Sequence, residues 1–190
     1  MKKTILLTKE QIDKTCQRIA LEIKEALKDE KKIPVFVGVL KGSVNFMMDL
    51  LKYVDIPMFT DYIQISSYQG TNSTGRIQLM KDLSFDCQGR SVVIVEDIID
   101  TGNSMHFLIQ HIKSHNPKKV YVCTLFNKEY ARVRDVKADF VGVELQEDKF
   151  LVGYGLDYNE LERNVPYVYM IDPKDSWELQ EIIDKDNEEK

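Results

Sequence analysis

The chain has few cysteines, no long apolar run and no excess of positive charge, and each shortage removes a class of protein. Its three cysteines, Cys16, Cys87 and Cys123, are an odd and scattered set. None forms a CxxC pair or stands at ligand spacing from a histidine, so neither disulfides nor a zinc centre are indicated. Cys123 lies in the apolar run Val120 to Phe126 and reads as a buried core thiol. No stretch approaches the roughly 18 apolar residues of a membrane span. The opening MKKTILLTKEQ holds too short an apolar segment for a secretory signal, so a cytoplasmic location is expected. A net charge of −5 argues against a large nucleic-acid footprint, which needs a basic face. One small phosphate site remains possible. There is no internal repeat, low-complexity block or linker. With 43% apolar and 30% charged residues, positions 1–190 read as one globular domain.

What is present alternates between two periodicities. Thr8 to Glu30 places Ile12, Cys16, Ile19, Ile23, Ala26 and Leu27 at helical spacing behind a capping threonine. Pro34 opens the uncharged run Val35 to Leu40, as in strands buried on both faces of a parallel sheet. Lys41-Gly42-Ser43 is a turn, and Val44 to Tyr53 is again helical. Met58 to Ile65 is a strand, Ser66 to Gly75 a loop rich in Ser, Thr, Gly and Asn, and Arg76 to Met80 its return strand. Ser91 to Glu96 is the purest strand, followed by a turn over Asp97 to Gly102 and a helix over Asn103 to His115. Further strands are expected at Val120–Asn127, Phe140–Leu145, Phe150–Tyr154 and Pro166–Ile171, with a terminal helix after Asp175. Such alternation gives an α/β fold with a mostly parallel sheet covered on both faces. Its ligands should gather at the carboxyl ends of the strands, after Leu40, Glu96, Asn127 and Tyr154.

The strongest constellation runs from Val92 to Ser104. A buried strand ends in two acids, Glu96 and Asp97. A third acid, Asp100, precedes the small turn Thr101-Gly102-Asn103-Ser104, which opens a helix. Main-chain N–H groups and hydroxyls at a helix start favour one phosphate. The acid pair would repel a bare phosphate, but it can accept from sugar hydroxyls or share a divalent ion with phosphate oxygens. A magnesium-bound ribose phosphate meets both needs. An isolated Asp-Thr-Gly would be an ordinary helix cap; the flanking acids and the strand make a binding site the better reading.

Val93 to Met105 resembles the phosphoribosyl-diphosphate signature of the phosphoribosyltransferases, above all those acting on hypoxanthine and guanine. Gly38 to Ser43 is similar to that family's pyrophosphate loop, and Ser66-Ser67-Tyr68 to the start of its lid. Asp148 to Glu160, with Arg163, resembles its base-recognition segment. The four motifs span roughly Val35 to Ile171 in the family's order.

The resemblance implies a type I phosphoribosyltransferase fold. A small hood would come from the N- and C-terminal segments, and a flexible lid would lie at about 66–76. It implies transfer of the phosphoribosyl group from phosphoribosyl diphosphate to N9 of a 6-oxopurine, with Mg²⁺. The 5-phosphate would sit on Thr101, Gly102, Asn103 and Ser104. Glu96 and Asp97 would hold the ribose hydroxyls and one magnesium, and Asp100 would handle the proton at purine N7. Lys41 and Gly42 would meet the diphosphate through main-chain groups, with a cis peptide between Leu40 and Lys41. Lys128 would donate to the 6-oxo group, Phe150 would stack on the base, and Leu151 and Asp157 would meet its far edge. Asp157 would also hold a second magnesium, and Arg163 the departing diphosphate. Ser67 and Tyr68 are the implied lid residues, and a homodimer or homotetramer is the implied assembly.

Two departures stand out. Asn103-Ser104 replaces a common Lys-Thr pair, and Leu151 stands where Val or Ile is usual. Other readings are a transferase for another base, such as xanthine, adenine or orotate, and a regulator that binds phosphoribosyl diphosphate without catalysis. Asp100 speaks against the regulator, and no GxxxxGK[ST] supports a P-loop kinase. His106, His111 and His115 read as solvated or helix-end side chains.

Overall fold

The computed structural model describes residues 3–67, 77–172 and 177–188. Helix α1 (Lys9–Leu27) starts where the sequence puts it. The Thr8 hydroxyl accepts from the Gln11 amide at 3.3 Å, and the Gln11 side chain accepts from the Thr8 amide at 2.8 Å. This reciprocal cap satisfies two N–H groups that the helix leaves open. Ile12, Cys16, Ile19, Ile23 and Leu27 form its buried stripe.

Strands β2 (Val35–Leu40), β3 (Phe59–Ser67), β5 (Ser91–Ile99), β6 (Lys119–Asn127) and β7 (Phe140–Glu144) are parallel, and β4 (Ile77–Lys81) adds an antiparallel edge. The order is β4-β3-β2-β5-β6-β7. Helices α1 and α2 (Val44–Val54) cover one face over Phe36, Val93, Val95 and Cys123. Helix α3 (Asn103–Lys113) covers the other through Met105, Leu108 and Ile112, over Val35, Val37, Val92 and Ile94. Neighbouring residues of β2 and β5 thus serve opposite faces, which is why those strands carry apolar residues at consecutive positions.

A second, antiparallel sheet stands apart, in the order β1-β9-β8, from Thr4–Leu7, Val168–Ile171 and Phe150–Val152. The late strands thus join the N-terminal strand in a small sheet of their own, beside the parallel one. The final helix, α4, spans Trp177–Glu188.

Several boundaries also move. The turn expected to begin at Asp97 starts only after Ile99, because β5 keeps its pairing with β6 through Ile98↔Phe126 and Ile99↔Asn127. The strand expected to reach Tyr154 stops at Val152, and Tyr154 takes a positive φ of 53°. Strand β1 has no counterpart in the sequence reading, since its four residues gain definition only against β9.

Candidate active site

Strand β5 delivers its acids into a cavity of about 260 Å³ at the carboxyl ends of the parallel strands. Gly42, Glu96, Asp97, Asp100, the Thr101–Gly102 turn with Ser104, and Arg163 all line it. The acid pair is folded tightly into local structure. Glu96 accepts from the Asp97 amide at 3.1 Å, and Asp97 from the Ile98 amide at 2.9 Å. Burial, and then the neighbouring Asp97 charge, push the Glu96 carboxyl well above the usual carboxylate range. Such a pair is short of positive charge or hydroxyl donors, and a divalent cation or a sugar diol offers either. Its hard oxygen atoms suit magnesium.

The pyrophosphate-loop motif stands directly against these acids. The Leu40–Lys41 peptide is cis, as the resemblance implies. A Cβ added to Gly42 would lie 1.8 Å from Asp97 Oδ2, so any side chain there would displace the Asp97 carboxylate. A Cβ on Gly155, at φ 103°, would lie 2.0 Å from the Gly42 carbonyl oxygen. Sugar acids, diphosphate loop and base segment therefore touch through two glycines.

The phosphate turn is also braced. Gly102 has φ 82°, and the Thr101 hydroxyl accepts from the Asn103 side chain at 3.3 Å. Arg132 donates to the Asp100 carbonyl at 2.7 Å, and the Val133 amide donates to the Thr101 carbonyl at 3.0 Å. Arg134 donates through Nε to the Asn103 side-chain oxygen at 2.9 Å. The positive charge missing from the turn itself is thus supplied by a neighbouring loop.

On the base side, Lys128 is buried at the end of β6. Its amide donates to the Ile99 carbonyl at 2.9 Å. Its Nζ lies 2.8 Å from Asp148 Oδ1 and 3.5 Å from Asp100 Oδ2. Desolvation works to lower the Lys128 pKa, but the Asp148 hydrogen bond and the two carboxylates outweigh it and raise it. The ammonium stays charged at neutral pH.

Phe150 opens β8 with its ring 42% exposed, edge-on to Tyr158 at 6.0 Å. A free face of this kind can stack on a base. Leu151 is buried and paired with Met170.

Asp157 is already engaged. It accepts from the Glu160 amide at 2.8 Å and pairs with Arg163 at 2.9 Å, so a cation at Asp157 would have to displace Arg163. Arg163 also donates to the Gly155 carbonyl at 2.7 Å, and Lys41 pairs with Glu160 at 2.7 Å. The buried Nε atoms of Arg132 and Arg163 have no partner among the described residues.

Ser67 closes β3, whereas Tyr68 and most of the expected lid lie outside the described residues. The partners Arg132, Arg134, Asp148 and Glu160 went unassigned in the sequence. Only the Glu160–Arg163 spacing offered a local signal.

The chain belongs to the phosphoribosyltransferase family, whose phosphoribosyl transferase domain matches residues 3–159. Within that class, the similarity extends to enzymes of one specificity. The hypoxanthine-guanine phosphoribosyltransferase of Bacillus subtilis is 39% identical over 170 residues, covering 89% of this chain and 93% of its own. That of Staphylococcus epidermidis is 41% identical over 167 residues, covering 87% and 92%. A hypoxanthine-guanine phosphoribosyltransferase crystal structure from Bacillus anthracis superposes with a TM-score of 0.84 at 37% identity, covering 90% of this chain and all of that one.

Proposed function

We propose that this chain is a purine-salvage transferase. It moves the 5-phosphoribosyl group from phosphoribosyl diphosphate to N9 of hypoxanthine or guanine, giving IMP or GMP and diphosphate. The supporting observation is the shared cavity of the Glu96–Asp97 pair, Asp100 and the Thr101–Ser104 turn, with Lys128 beside Asp100.

Breaking the bond from ribose C1 to the diphosphate leaves positive charge on the sugar and negative charge on the leaving group. Arg163 and the main-chain groups of Lys41 and Gly42 meet that negative charge. The helix start of α3 holds the 5-phosphate, and Glu96 and Asp97 accept from the ribose hydroxyls. Asp100 takes or shares the N7 proton as N9 attacks. Glu96 and Asp97 would hold one magnesium and Asp157 a second, and the ions, when bound, would supply positive charge to the leaving group.

Lys128 donates to the 6-oxo group, and adenine, with an amine there, leaves that ammonium unsatisfied. Phe150 stacks on the ring, while Leu151 and Asp157 meet its far edge. The expected assembly is a homodimer or homotetramer in the cytoplasm.

The deciding experiment is a base panel of hypoxanthine, guanine, xanthine, adenine and orotate, assayed with phosphoribosyl diphosphate and magnesium. Transfer to a 6-oxopurine with little use of adenine is expected. Equal use of adenine and hypoxanthine contradicts the role given to Lys128, and no transfer to any base contradicts catalysis.

A further inference from the structure

Outside the cavity, His111 in the last turn of α3 and His115 just past its end stand as the helix-end side chains that the sequence suggests. They are half-buried, four residues apart, with rings edge to face at 5.1 Å. Asp82, in the loop after β4, reaches the same point, with Oδ1 2.7 Å from His111 Nε2. One ligand atom from each of the three lies within 4.8 Å of the other two.

The surroundings fix both halves of this cluster. Phe107 lies parallel to the His111 ring at a centroid distance of 6.1 Å. The Asp82 loop is pinned on each side by Asp61. It pairs with Lys81 at 3.3 Å and accepts from the Ser84 and Phe85 amides at 2.6 and 2.9 Å.

Two imidazoles and a carboxylate form the donor set that zinc and similar divalent ions select, with water as the fourth ligand. Ligand atoms of a tetrahedral zinc site stand roughly 3.3 Å apart, given bonds of about 2.0–2.1 Å. To reach that spacing the Asp82–His111 contact of 2.7 Å opens by a few tenths of an ångström, and the wider pairs, all within 4.8 Å, close. Magnesium, which takes oxygen ligands, does not compete for imidazole nitrogen.

We propose that Asp82, His111 and His115 bind one zinc-class divalent cation, separately from the phosphoribosyl cavity. The site lies about 12 Å along α3 from the phosphate turn, at 1.5 Å per residue. A bound ion would tie the loop that follows β4 to the helix that begins at that turn.

The test uses untagged full-length chain, titrated with zinc against a chromophoric chelator in excess magnesium. The wild type is expected to hold one equivalent. Removing a direct ligand in His115→Ala or Asp82→Asn should weaken binding by at least the roughly 10–100-fold that loss of an outer-shell partner costs. His106→Ala, on the same helix but outside the cluster, should bind as the wild type does. Thermal melts without zinc show whether each variant folds; added zinc should raise the midpoint of the wild type and not of His115→Ala. Failure of the wild type to retain zinc, or equal binding by a folded His115→Ala, overturns the proposal. Neither result bears on the transferase activity.

Discussion

The two sides of the cavity are assembled differently. The sugar-phosphate side comes from one stretch, Glu96 to Ser104, where the end of β5 runs into the start of α3. The base side collects Lys128 from the end of β6, Asp148 and Phe150 from around β8, and Asp157 from the segment beyond it. The first relies on main-chain direction, which the strand and helix fix together. The second relies on side-chain pairs open to solvent, such as Lys128–Asp148, whose carboxylate is largely exposed. Exposed pairs hold weakly and are screened by salt. On the proposed assignment, a site built in this way fixes its phosphate partner rigidly and leaves its base partner adjustable.

Four substitutions probe that contrast. Asp100→Ala should have the largest effect, lowering turnover by roughly 10²–10⁴ with little change in the KM for phosphoribosyl diphosphate. Unchanged turnover would move the proton chemistry elsewhere. Lys128→Ala should cost about 1.5–3 kcal/mol in kcat/KM for hypoxanthine, while leaving the affinity for phosphoribosyl diphosphate intact. A loss in both would mean that the two sides are not separable.

Arg132→Ala tests the brace on the phosphate turn, because this arginine holds the Asp100 carbonyl. It should raise the KM for phosphoribosyl diphosphate by an amount worth about 1 kcal/mol, smaller than the Lys128 effect on the base.

Glu96→Gln addresses stability. A carboxyl whose pKa is raised on folding makes ionisation costly to the native state. That cost is absent below the unfolded pKa and fully present above the folded one. The variant should therefore melt higher than the wild type at neutral pH, with the gap closing as pH falls below the ordinary glutamate range. A gap constant with pH would refute the assigned shift.

The same contrast governs what the sequence discloses. Glu96 to Ser104 is legible because strand, acids and turn are contiguous, and Val35 to Leu40 because burial on both faces leaves an uncharged run. Lys128 and Phe150 carry no local sign of function; only the order of motifs singles them out. The Arg132 and Arg134 braces, the Asp148 partner of Lys128 and the Asp82–His111 pair all bridge 20 residues or more. Side-chain periodicity cannot report contacts over such separations. Strand β1 escaped for a related reason: four residues with an exposed start look like a loop until β9 lies beside them.

The pairing of β1 with β9 also sets a timetable. Residues 4–7 are made some 160 positions before the strand that pairs with them. Every strand of the large sheet is made before then. A growing chain thus completes the Glu96–Ser104 side of the cavity before the small sheet that carries Phe150 exists, and on the proposed assignment the capacity to choose a purine arrives last.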